Sequence, residues 1–172
     1  MRMTLTTHIV IAAAVTRSLA QSHPLLGFFT ALASHYLADA IPHWDYPMLA
    51  LPNNTDDEQK LHWGAGKARV FRKRLVRDVR TFAADALLGV MIILLIIRPA
   101  SHDQWWWVAG AVIGGVLPDF LQGVYLSGAA FLRPLQYFHD WCHTNIKLGP
   151  YPLIGIPFQL VIAGIAVYFL LS

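Results

Sequence analysis

YPLIGIPFQLVIAGIAVYFLL, residues 151–171, contains 21 residues of which only Gln159 carries a strongly polar side chain. A helix needs about 20 consecutive apolar residues to cross the hydrocarbon core of a bilayer, so this stretch reads as a membrane span. The whole chain agrees with it. Of 172 residues, 56% are hydrophobic, 13% are charged and one, Glu58, is a glutamate. A soluble domain carries about a quarter charged residues. The expected fold class is therefore all-α: one integral membrane domain, residues 1–172, forming a helical bundle of about five transmembrane helices.

Working outward, residues 82–97 form a second span interrupted only by Asp85. Residues 105–122 form a third, opening on Trp105, Trp106 and Trp107, a cluster typical of the water interface, and closing on GGVLPD. Residues 24–41 make a fourth. Residues 4–19 make a weaker fifth, because its apolar centre runs only from Ile9 to Val15 and Arg17 must snorkel or pair. Arg2 and the small residues Ala12 to Ala14 would also suit a cleaved signal peptide, but the apolar stretch flows almost directly into the next one. Cys142 is alone, so no intrachain disulfide forms.

Eight of the thirteen Lys and Arg residues lie between Lys60 and Arg80. Short basic loops stay in the cytoplasm, which puts the loop 42–81 and the N-terminus inside and the C-terminus outside. Bases alternate there with Val70, Phe71, Leu75 and Val79. That mixture predicts a basic interfacial helix between the spans 24–41 and 82–97, the second and third in chain order, whose Lys67, Arg69, Arg72 and Arg74 recruit anionic head groups. No helix-turn-helix or RNA-binding motif is present, so nucleic acid is not an expected partner. No GxGxxG, P-loop, G-x-S-x-G or HExxH pattern occurs either, which disfavours nucleotide chemistry and serine hydrolysis.

The same topology gathers the ionisable residues on one side. SHYLADAIPHWDY, residues 34–46, sets His35 and Asp39 four apart on one helix face, and Pro42 ends that helix so that His43 and Asp45 sit on the following turn. A charged group at the centre of a membrane helix costs roughly 2.5–3.5 kcal/mol, so such residues need a metal, each other or water as compensation. His139 and His143 have the i, i+4 spacing that lets two imidazoles hold one ion from a single helical turn. Asp119 follows Pro118, whose missing amide opens a polar notch in the helix. Asp85, inside its span, needs a cation or an ion pair with Arg77 or Arg80. His8, at the start of the first span, falls on the same side. His8, His35, Asp39, Asp85, Asp119, His139 and His143 are therefore the candidate metal ligands, and Asp119, His43 and Asp45 the candidate acid, base or orienting groups. Mixed imidazole and carboxylate donors suit a divalent transition metal, Zn or Mn before a pure oxygen-ligand ion.

These motifs resemble a prokaryotic family of small inner-membrane proteins described as membrane-bound metal-dependent hydrolases, some of them LexA-regulated. The likeness rests on Thr7-His8 before the first span, Ser34-His35 with Asp39, Gly115-Val116-Leu117-Pro118-Asp119, and the later pair His139 and His143 with Thr144. Where that family commonly continues with Asp and His after its Leu-Pro-Asp, this chain has Phe120, Leu121 and Gln122. The resemblance implies a bundle in the inner membrane of a prokaryote holding a metal site.

The function expected is metal-dependent hydrolysis of a lipid-linked phosphoester or ester at the cytoplasmic leaflet. The alternative is a non-catalytic membrane subunit or assembly partner with a structural metal or polar cluster. An ion pathway is disfavoured, since Val90 to Ile97 and Val161 to Leu171 offer almost no polar residue. Expected partners are membrane lipids and anionic head groups, with an oligomer or larger complex left open.

Overall fold

The computed structural model describes residues 4–19, 22–44, 65–146 and 148–172, with the backbone alone for 65–72. Its elements are α1 (Leu5–Thr16), α2 (Pro24–Asp39), α3 (Ala65–Ile97), α4 (His102–Leu126), a 3-10 turn (Ala130–Leu132), α5 (Arg133–Cys142) and α6 (Pro152–Leu171). Among the described residues there is no β-strand, as an all-α reading requires.

α1 is the axis of the bundle. It packs against α2, α3, α4 and α6, and eight of its residues are buried, on every side of the helix. A helix that is apolar all round is suited to being enclosed in this way. Close approach comes from glycines on its neighbours. A Cβ at Gly89 of α3 would lie 2.9 Å from the Thr6 Cα, and one at Gly115 of α4 would lie 3.2 Å from the His8 carbonyl oxygen. A Cβ at Gly114 would lie 2.6 Å from the Ala31 Cβ of α2. The adjacent glycines of α4 thus let two different helices reach its backbone.

Lys73–Ile97, His102–Leu126 and Pro152–Leu171 are long and apolar enough to cross a membrane. Of the five spans expected, these three reach that length and hydropathy among the described residues. α1 and α2 have 12 and 16 residues and rise about 18 and 24 Å at about 1.5 Å per residue, less than a hydrocarbon core of about 30 Å. α6 buries only a stripe, Gly155, Gln159, Ala166 and Leu170, and exposes Leu153, Ile154, Leu160, Val161 and Tyr168.

Three features differ from the sequence reading. The basic stretch is no separate interfacial helix: α3 is continuous from Ala65 to Ile97, 33 residues. α4 does not end at residue 122 but runs past Asp119 to Leu126 with Pro118 inside it. Trp105 and Trp106 are exposed, whereas Trp107 is buried and its Nε1 donates to the Ala13 carbonyl (3.2 Å) and to Thr16 Oγ1 (3.0 Å). Arg17 pairs as expected, its Nη1 donating to the Phe169 carbonyl at the end of α6.

Candidate metal centre

Four segments bring one polar cluster together at the end of the bundle where α1 begins and α2 ends. α1 contributes His8, in its first turns. α2 contributes His35 and Asp39, on one face of its last two turns. α4 contributes Asp119, and α5 contributes His139 with His143 at its C-cap. The backbone locks these pieces in place, because the Thr144 amide donates to the Asp39 carbonyl at 2.9 Å, tying the chain after α5 to the end of α2. Gln159 of α6 seals the rim: with its amide oriented to satisfy its neighbours, its nitrogen donates to the Trp44 carbonyl (3.0 Å) and its oxygen accepts from Thr7 Oγ1 (3.0 Å).

Asp39 is the centre. Its Oδ1 lies 3.2 Å from His8 Nε2 and 3.9 Å from His143 Nε2; its Oδ2 lies 3.2 Å from His35 Nε2 and 2.9 Å from His139 Nε2. His139 Nε2 is also 4.0 Å from Asp119 Oδ1. The rings of His8 and His35 stack with centroids 3.9 Å apart, and His43 and His143 lie with centroids 5.0 Å apart. His8, His35, Asp39, His43, Asp119 and His139 are all at most 2% exposed.

Ring orientation follows from the outer nitrogens. His35 Nδ1 lies 2.8 Å from the Gly115 carbonyl, and His43 Nδ1 lies 2.7 Å from the Ile41 carbonyl. A carbonyl only accepts, so both Nδ1 atoms carry the proton and both Nε2 atoms turn a lone pair inward. This second contact is what holds a ligating imidazole in one tautomer. Buried polar atoms ordinarily find hydrogen-bond partners. Here His35 Nε2 and both ring nitrogens of His8 make no hydrogen bond. Ligand atoms of His8, His35 and Asp39, of His35, Asp119 and His139, and of Asp39, His43 and His143 fall within 4.8 Å of one another in each set. Five imidazoles and two carboxylates gathered at these distances could hold a metal ion.

Six of the seven expected ligands, His8, His35, Asp39, Asp119, His139 and His143, thus meet in one cluster, and His43, expected as an orienting group, stands at ligand distance with them. Asp85 is the exception and corrects the sequence reading. Its Oδ2 accepts from the Leu5 amide (2.6 Å) and its Oδ1 from the Thr6 amide (3.2 Å) and Thr6 Oγ1 (2.6 Å). It caps the N-terminus of α1, where orphan amides and the helix dipole favour a carboxylate. Arg74 is exposed on α3. Asp45 and the side chains of Lys67, Arg69 and Arg72 lie outside the described residues. Burial, and then the Asp39 charge, push the Cys142 thiol above the usual range, away from thiolate.

Sequence reasoning missed Gly114, Tyr36 and Gln136. Tyr36 packs edge-on against His139 with centroids 5.7 Å apart, and Gln136 donates to Asp140 Oδ1 at 2.8 Å. The doubled glycine of α4 was the one available signal. Beside His139, a cleft of about 10 Å³ opens between Tyr36, Pro118, Leu135 and Gln136. A larger hollow of about 860 Å³ lies by Arg17, Asp103 and Phe169 at the opposite end, away from the cluster. No family model, curated protein or solved structure matches the chain.

Proposed function

We propose that this chain is an integral membrane, metal-dependent hydrolase of a lipid-linked phosphoester or ester, similar in kind to the prokaryotic inner-membrane family its motifs resemble. The observation that carries this is the dry convergence of five imidazoles and two carboxylates in which His8 and His35 leave ring nitrogens without hydrogen bonds. Four imidazole Nε2 atoms lie 2.9–3.9 Å from the one Asp39 carboxylate, an arrangement suited to an ion binding among them. His8, His35, Asp39, Asp119, His139 and His143 would hold the metal. Once bound, it would polarise a phosphoryl or acyl oxygen and acidify a water. Asp119 would accept the proton of that water and pass it to the departing group, and His43, its ring fixed by the Ile41 carbonyl, would help orient the site.

α5 supports a lipid substrate. Its buried residues are Gln136 and His139, while Leu135, Tyr137, Phe138 and Trp141 face outward with Phe131 just before them. A helix with its polar side inward and its aromatic side outward suits acyl chains or the interface as its medium. The cleft beside His139 opens under this helix, so a lipid head would enter laterally between α4 and α5. The exposed bases of α3, Lys73, Arg74, Arg77 and Arg80, would attract an anionic head group, and by the positive-inside rule they would set this end toward the cytoplasm.

The smallness of that cleft, about 10 Å³, favours one other reading, a structural metal knot in a non-catalytic membrane subunit. Metal analysis of the purified protein with His35→Ala and His143→Ala, followed by phosphatase and lipase assays on lipid vesicles, separates the two. Hydrolysis that disappears with the metal supports the enzyme; bound metal with no turnover supports the knot; metal-free wild type overturns both.

A further inference from the structure

We infer that the cluster is divided between two ions, with Asp39 bridging them: His8, His43 and His143 on one, His35, Asp119 and His139 on the other. This rests on the reading of the cluster as a metal centre and goes further by fixing how many ions it takes and which residues serve each. Seven donors are too many for one four-coordinate site. They also separate in space. Of the ligand sets, His35 with Asp119 and His139 shares no residue with Asp39, His43 and His143. Asp39 faces both: Oδ2 looks toward His35 (3.2 Å) and His139 (2.9 Å), Oδ1 toward His8 (3.2 Å) and His143 (3.9 Å). A carboxylate whose two oxygens meet different donor groups is placed as a bridge.

His8 is the residue that belongs to neither disjoint set, since it also groups with His35 and Asp39. The Asp39 oxygen it faces is Oδ1, on the His143 side, and that assigns it. Each ion then has four protein donors, three imidazoles and a carboxylate oxygen on one, two imidazoles and two carboxylate oxygens on the other. Each half also has its own tautomer lock, the Ile41 carbonyl behind His43 and the Gly115 carbonyl behind His35.

The division narrows the substrate. Paired ions stabilise both the attacking and the leaving oxygen of an in-line displacement at phosphorus, the pattern of phosphatases and nucleases. A lipid-linked phosphoester is therefore the substrate class, ahead of a carboxyl ester. In that reaction water's oxygen forms the new bond to phosphorus, the ester P–O bond breaks, and the proton that water gives up passes to the departing alkoxide, which leaves as the alcohol.

The test is a metal count on detergent-purified full-length chain loaded with Zn²⁺ or Mn²⁺. Wild type is expected to hold two ions per chain, Asp119→Asn and His143→Gln one each, and the pair of substitutions together none. Mn²⁺-loaded wild type is expected to give the electron paramagnetic resonance signal of a coupled pair, and Asp39→Asn to abolish the coupling. Wild type saturating at one ion, with that ion lost in either single variant, overturns the division while leaving a metal centre. Wild type holding none overturns the metal centre as well. If a variant does not fold, the wild-type count and its Mn²⁺ spectrum decide alone. With two ions established, faster cleavage of a vesicle carboxyl ester than of a vesicle phosphoester overturns the substrate class.

Discussion

The two ends of α1 are equally dry and chemically opposite. Toward its C-terminus Thr16, 0% exposed, donates to the Ala12 carbonyl at 2.7 Å and accepts from Trp107 Nε1 at 3.0 Å. Around it Ala12, Ala13, Val108, Ala111 and Ile93 form an apolar core. Toward its N-terminus His8, 1% exposed, packs on His35 and faces Asp39 with neither ring nitrogen hydrogen-bonded. The first end is organised as a fold that stabilises itself, with every donor answered. The second gathers imidazoles around one buried carboxylate, a group that could hold a metal ion.

The largest effect that would break this contrast is on the polar end. Chelation should lower the unfolding free energy of wild type by about 4 kcal/mol relative to protein held at a thousandfold excess of free metal over its dissociation constant. Asp39→Ala should show no such response. A chelator titration followed by thermal melting reads both, and an equal response in the two proteins would refute the central place of Asp39. Because imidazoles ligate only when neutral, acidification should release the metal and neutralisation should restore it.

Next comes the joint between the two ends. Gly114→Ala puts a methyl 2.6 Å from the Ala31 Cβ, so α2 must shift. Overpacking of this kind costs about 1–3 kcal/mol, and displacing the helix that carries His35 and Asp39 should weaken metal binding about 10- to 100-fold. Gly115→Ala, meeting only the His8 backbone at 3.2 Å, should do less on both measures. A Gly114→Ala protein with undiminished metal affinity would show that the helix approach does not position the ligands.

The apolar end should answer in stability alone. Trp107→Phe removes the indole donor to Thr16 and Ala13 and should cost about 1–2 kcal/mol in denaturant melts, leaving the metal count untouched. Smallest of all, Asp85→Asn weakens the cap on α1 and should cost about 0.5–1 kcal/mol without loss of metal. Loss of an ion in Asp85→Asn would return this residue to the ligand set.

Much of this was legible before any coordinates. His35 and Asp39 declare themselves by spacing, His139 and His143 likewise, and the run 151–171 by composition, because helical periodicity and hydropathy are properties of neighbouring residues. α3 was misread as beginning at residue 82 because its basic first half has no apolar window. Yet from Lys67 to Leu88 it contains no Gly or Pro to stop the helix. Asp85 was misassigned for a different reason. A buried carboxylate looks the same in sequence whether it meets a cation or the amides of a helix start, and the start of α1 lies 79 and 80 residues away.

By itself, then, the sequence determined that this is a helical, apolar chain and which of its residues could ligate a metal, since those readings rest on composition and short-range pattern. Only the tertiary structure decided that His8, His35, Asp119 and His139 meet around Asp39, that His43 joins them and that Asp85 does not. Those contacts depend on how closely α1 and α2 dock on Gly114 and Gly115, and packing between helices distant in the chain leaves no period in the sequence from which to read it.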